Sequence, residues 1–152
     1  MKLTARVVAA IAAAALVVMA VGILVLVRAG ESPQVALSWT DLRNATYPSE
    51  FPRSKQAALN DGIYEEEIVP GAATRLKIEL ANIVGFGRLD NDASIDAAVV
   101  LISSPGGSGT FINLAAVLNE GSRPVPVTST LLGDRVAVRP IRIEGQKIKV
   151  RR

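Results

Sequence analysis

From Val7 to Val27 the chain reads VVAAIAAAALVVMAVGILVLV, 21 residues without a charge. At 1.5 Å rise per residue this makes about 31 Å of helix, the thickness of a bilayer's hydrocarbon core at roughly 30 Å. Residues 7–27 are therefore expected to be a transmembrane signal-anchor with the lipid bilayer as partner. Residues 1–6, with Lys2 and Arg6, form a cytoplasmic basic n-region. The alternative is a cleaved signal peptide, since Val27-Arg28-Ala29 fits a small-x-small cleavage site, giving a secreted product. A run of 21 residues is longer than the roughly 7 to 15 of a signal-peptide h-region, which favours retention. Everything from about Gly30 onward is then extracytoplasmic, on the outer side of the cytoplasmic membrane.

Removing that segment from 152 residues leaves one domain's worth of chain, with residues 28–37 (RAGESPQVAL) as a linker and 38–152 as an exported domain. There are no cysteines and no histidines. That excludes disulfides, thiol nucleophiles, Ser-His-Asp triads and imidazole or thiolate metal sites, and leaves oxygen ligands and the chemistry of carboxylates, hydroxyls and lysine.

One short helical turn is expected, at Ser38-Trp39-Thr40-Asp41, a capping box with Asp in place of Glu. The rest reads as strands. Lys55–Leu59 and Ile63–Ile68 flank Asn60-Asp61-Gly62, a hairpin signal, and Thr74–Leu80 alternates apolar with charged residues. Ile95–Ser103 and Thr110–Leu118 are more continuously apolar, as central strands are, and Ser104–Gly109 joins them. Val125–Leu132, Arg135–Ile143 and Lys147–Arg151 read as a meander with turns at Gly133-Asp134 and Glu144-Gly145. The expected fold class is mainly β: an N-terminal transmembrane helix followed by a compact antiparallel β-sandwich or barrel-like domain of about eight strands.

The acidic segment Gly87–Asp96 resembles a D-x-D-x-D-G-x-x-D calcium loop incompletely. Asp90, Asp92 and Asp96 are the candidate metal ligands. In one frame Arg88 replaces the first Asp, Ala93 the turn glycine and Val99 the bidentate Glu; in the other, Ile95 and Leu101 take the last two places. No cofactor is expected, calcium being the one candidate, and Arg88 is positioned in sequence to neutralise the carboxylates in its stead. The bland reading is an acidic turn capping the next strand. Gly106-Gly107-Ser108-Gly109 lacks the Lys and helix of a phosphate cradle and reads as a flexible hairpin tip. Glu65 and Glu67 share a strand face, and Ser103, Ser104 and Lys55 show no spacing that makes a dyad.

Charge is unevenly divided. Residues 29–119 carry 6 basic and 11 acidic side chains, whereas 120–152 carry 8 basic and 3 acidic. Arg142, Lys147, Lys149 and Arg151 alternate with Ile141, Ile143, Ile148 and Val150, so these cations are expected on the outer face of a C-terminal hairpin. They are the candidate surface-binding residues for an anionic envelope polymer, lipid headgroups or an envelope protein. The plain alternative is a solvated strand face. Nucleic acid is not expected, because no aromatic residues are interleaved with the cations.

The segments Leu42–Tyr47, Leu59–Tyr64, Asp96–Leu101, Gly107–Phe111, Leu114–Val117 and Leu132-Gly133-Asp134-Arg135-Val136 together resemble a group of small exported bacterial β domains without an assigned activity. The resemblance covers about residues 40–150 and implies an envelope location and no particular chemistry. Relatives carry a fuller Gly-Asp-x-x-Gly-Asp-Gly-x-x-Asp segment where this chain has Arg88, Asn91 and Ala93. With no nucleophile, base and oxyanion set recognisable, a binding or structural module of the cell envelope is expected. The alternative is a carboxylate-dependent envelope enzyme or calcium-stabilised module centred on Asp90, Asp92 and Asp96.

Overall fold

The computed structural model describes residues 35–71 and 73–151, within one unit spanning Gln34–Arg152. The expected membrane segment 7–27 and the n-region lie outside the described residues, as does most of the linker. Among the described residues no helix is long and apolar enough to cross a membrane.

Among the described residues the first element is α1 (Trp39–Arg43), and its cap is the one read from sequence. Ser38 Oγ accepts from Asp41 N at 3.1 Å while Asp41 Oδ2 accepts from Ser38 N at 2.9 Å. The Ser38 hydroxyl, and then its N–H, hold the Asp41 carboxyl below its usual pKa. Asn44 closes the helix, its Nδ2 donating to Thr40 O at 2.9 Å.

Among the described residues nine strands follow: β1 (Thr46–Pro48), β2 (Gln56–Ala58), β3 (Ile63–Glu67), β4 (Arg75–Gly87), β5 (Asp96–Ser104), β6 (Phe111–Asn119), β7 (Pro124–Asp134), β8 (Arg142–Glu144) and β9 (Lys147–Lys149). An antiparallel sheet runs β3-β4-β5-β6-β7, and β1–β2 and β8–β9 form separate two-stranded pairs.

Strand β5 explains the architecture. Its side chains alternate between two apolar layers. Ala97, Val99 and Leu101 join Leu42, Tyr47, Ala57, Leu59, Leu76, Ile78, Ala115 and Val117 on one face. Ala98 and Val100 join Ile112 and Ile141 on the other, with Ile143, Ile148 and Val150 packed against them. Coverage on both faces is why the strand reads as an unbroken apolar run. Tyr47 is fully buried, and its hydroxyl donates to Leu42 O at 2.8 Å, tying β1 to the end of α1.

Two expectations need correction. Asp61 and Gly62 do form a tight turn, with φ of 51° and 86° and a single rung between Asn60 and Ile63. The flanking strands then part, β2 pairing with β1 and β3 with β4. The end of α1 captures the turn: Gly62 N donates to Arg43 O at 2.8 Å, and the Arg43 guanidinium reaches Asp61 O at 2.6 Å and Asp61 Oδ1 at 3.0 Å. Second, no strand spans Arg135–Ile143 and no meander forms. Arg135 takes φ 51°, its N–H donates to Thr110 O at 2.7 Å, and the chain leaves the edge of the sheet to lay Val136, Val138 and Ile141 on its outer face. Alternating apolar residues there record contact with a sheet face rather than a ladder. The glycine tip between β5 and β6 is exposed, although a Cβ at Gly106 would run into the Ile68 Cδ1 and Thr74 Cγ2 atoms.

Strand β4 also extends seven residues past the expected Leu80, with a register shift between Leu80 and Val84. The extension ends in Gly85-Phe86-Gly87, and those glycines admit the C-terminal hairpin. A Cβ on Gly85 would stand 2.9 Å from Ile141 O, and one on Gly87 would stand 2.7 Å from Ile143 Cβ. Gly87→Ala should therefore cost about 1 to 3 kcal/mol by overpacking and speed amide exchange in residues 141–150. Gly107→Ala, where a Cβ meets nothing within 4 Å, should be near neutral; urea unfolding of both variants checks the contrast.

Candidate functional site

The loop between β4 and β5 brings the three sequence-selected carboxylates together: Asp90, Asp92 and Asp96 each offer an oxygen within 4.8 Å of the others. Their surroundings differ. Asp92 N donates to Asp90 Oδ1 at 3.0 Å and Ser94 N to Asp92 Oδ1 at 2.8 Å, two successive turns of the kind Asp makes with backbone two residues on. The Ser94 N–H bond holds the Asp92 carboxyl below its usual pKa. The Asp92 N–H pulls Asp90 in the same direction, but desolvation and the facing Asp92 and Asp96 carboxylates outweigh it, and Asp90 is raised.

Asp96 is wholly buried at the start of β5. Its Oδ2 accepts from Leu89 N at 2.6 Å and its Oδ1 from Asn119 N at 2.9 Å. Asn119, also buried, donates through Nδ2 to Val35 O at 3.0 Å and Ile95 O at 3.3 Å and accepts from Ser122 N at 2.9 Å. One carboxylate and one amide therefore join the chain entry, the β4–β5 loop and the β6–β7 turn. Nothing in the sequence pattern marked Asn119; an apolar strand ending in Asn before a Gly-Ser turn is the only signal it leaves.

As a cation site the loop is short of oxygen. A calcium ion takes about 6 to 8 ligands. The two positions where a bidentate Glu would stand hold Val99 and Leu101, both in the core. The Asn91 Oδ1 atom is taken by Gln146 Nε2 at 2.7 Å, and the same amide donates to Asp90 O at 2.8 Å. Arg88 lines the hollow with Asp90, Asn91, Asp92 and Gln146, yet among the described residues it makes no ion pair with those carboxylates, so the expected neutralisation by its guanidinium is not formed. The Gln146 contact was invisible in the sequence, because it joins residues 55 and 56 positions apart.

The C-terminal cations stand where alternation put them. Arg142, Lys147, Lys149 and Arg151 are exposed, while Ile141 is buried and Ile143, Ile148 and Val150 are half-buried. The turn is Gly145-Gln146, one residue later than expected, both at positive φ. Arg142 lies directly opposite Lys149, and Arg139, whose N–H donates to Arg151 O at 3.0 Å, joins the cluster. Glu144 sits among them, bonded to Lys149 Nζ at 2.5 Å, and that ammonium holds its pKa down.

The remaining candidates are engaged otherwise. Glu65 and Glu67 both face Arg75, at 3.8 and 3.3 Å. Lys55 Nζ donates to Glu50 O at 2.7 Å, and Ser103 is buried in β5, so no Ser-Lys dyad is assembled from them.

Because the buried Asp96 carboxyl accepts two backbone N–H bonds, one buried and one part-buried, Asp96→Ala should destabilise the fold by about 3 kcal/mol or more. Asp92→Asn, at an exposed position, should change stability by less than about 0.5 kcal/mol. Chemical unfolding of the two variants tests whether Asp96 is the structural member of the trio. Neither a protein-family model, nor a curated protein, nor a solved structure matches the chain.

Proposed function

We propose that this chain is a single-pass, membrane-anchored binding module of the cell envelope, held by residues 7–27 with its β domain outside the cytoplasmic membrane. The β scaffold in this reading is a partly closed barrel around the first apolar layer: β1 lies alongside β7, and the Asn60–Ile63 rung leads β2 into β3. The observation that carries the binding half is the cationic outer face of the C-terminal hairpin, Arg142, Lys147, Lys149 and Arg151, displayed on a well-packed support. Anionic envelope polymer or lipid headgroup is the complementary chemistry. Among the described candidates no nucleophile is hydrogen-bonded to a base, which favours a module that binds over one that catalyses.

The full chain should pellet with membranes, resist alkaline extraction and retain its first 27 residues. A soluble product starting near Gly30 would overturn the anchor. In detergent the full chain should elute from a polyphosphate matrix at clearly lower salt once Lys147, Lys149 and Arg151 are replaced by Ser, because exposed charges are screened beyond about 8 Å at physiological ionic strength. Unchanged elution would remove the cationic face from the proposal.

The convergence of Asp90, Asp92 and Asp96 within 4.8 Å favours a second reading, a calcium-stabilised module. A site with Kd near 10 μM would add about 2.7 kcal/mol at 1 mM calcium. The oxygen count predicts much less: a melting shift below about 2 °C between chelator and millimolar calcium. A shift of several degrees that vanishes in Asp92→Asn would establish the second reading instead.

A further inference from the structure

We infer that the hollow lined by Arg139, Arg142, Lys149 and Arg151 docks on phosphodiester headgroups of the membrane that anchors the chain; this rests on the anchored-module reading above. The hollow encloses about 460 Å³, with Pro140 and Glu144 completing its wall, room for a phosphate with its glycerol. Its charge is not internally balanced. The one carboxylate, Glu144, is bonded to Lys149 at 2.5 Å and also feels the Arg142 guanidinium, and among the described residues Arg139, Arg142 and Arg151 form no ion pair of their own. Arg142 and Lys149 face each other across the ladder, a like-charge pairing that weakens a hairpin. Violations of such local rules are expected at functional or strained sites. Three guanidinium groups beside one lysine offer more charged donors than a single carboxylate can accept, and the two charged oxygens of a phosphodiester match the guanidinium fork.

The route of the chain selects the source of that phosphate. Val35 is pinned by Asn119, Asn119 and Leu89 share Asp96, and Asp90 O is bonded to Gln146 in the hairpin turn. The chain therefore enters the domain at the same end of the sheet as the hairpin turn. From Val27 to Val35 an extended chain reaches at most about 28 Å, and the strand residues of the hairpin lie within about 10 Å of its turn. In the anchored reading, a tether of that length lets the outer face of the hairpin meet headgroups. Asp90 and Asp92 beside the turn repel an anionic surface, so the hairpin docks by its outer face and not by its tip.

Amide exchange of the full chain reconstituted in vesicles tests this. Residues 139–151 should exchange several-fold more slowly in vesicles containing phosphatidylglycerol than in phosphatidylcholine alone. High salt should erase the difference, and the triple replacement Arg139→Ser, Arg142→Ser, Arg151→Ser should abolish it. Each cation removed should weaken the attraction roughly five-fold. The triple Arg→Lys variant should retain part of the effect, and unchanged exchange in β5 shows that each variant is folded. Equal exchange in both vesicles, or a difference that survives the Ser variant, overturns the docking. Equal protection by inorganic phosphate in neutral vesicles also overturns it, making the hollow a soluble-phosphate site. Loss of the chain from vesicles on alkaline washing overturns the anchored-module reading itself, a result separable from the other three.

Discussion

A carboxylate buried without partners would be among the most costly groups a domain of this size could contain. Asp96 is tolerated because two backbone N–H groups from different parts of the chain, Leu89 and Asn119, converge on it. In return it ends β4 and starts β5 in a defined register and holds the β6–β7 turn against them. Asn119 carries the same network to Val35 and Ser122. The acidic loop is the exposed shoulder of this structural joint, so Asp90 and Asp92 inherit a fixed backbone while remaining accessible.

The second constraint is steric. The C-terminal hairpin is short, six strand residues around a two-residue turn, and pairs of that size are not stable alone. It persists because Ile141, Ile143, Ile148 and Val150 lie on the outer face of the five-stranded sheet, and they approach only because β4 has glycine at 85 and 87. Burying one set of alternating residues obliges the other set outward. The cationic face thus follows from the way the hairpin is attached, and the Gln146 bonds to the acidic loop place groups of opposite charge on either side of one turn.

What could be read in advance depended on how local the cause was. The Ser38-Asp41 cap, the Asp61-Gly62 turn and the alternation of Arg142, Lys147, Lys149 and Arg151 each arise from residues a few positions apart, and each is present. The partner of a strand is a different matter. β2 and β3 flank a genuine turn signal yet pair with β1 and β4, because burying Ala57 beneath Tyr47 and Ile78 in the same layer outweighs continuing one rung into a hairpin. Likewise Val136 and Val138 have strand periodicity, but the apolar surface available to them was a sheet face.

By itself the sequence determined the mainly β class, the central position of the two apolar strands, the membrane-length run, the exclusion of thiol and imidazole chemistry, and the outward set of C-terminal cations. All of these follow from composition or from a period of two. Only the tertiary structure decided that Asp90, Asp92 and Asp96 converge while Asp96 serves the backbone, that Asn119 and Gln146 belong to the same neighbourhood, and that Arg139 joins the cationic face. These depend on residues tens of positions apart meeting, and chain packing sets such meetings where local periodicity cannot.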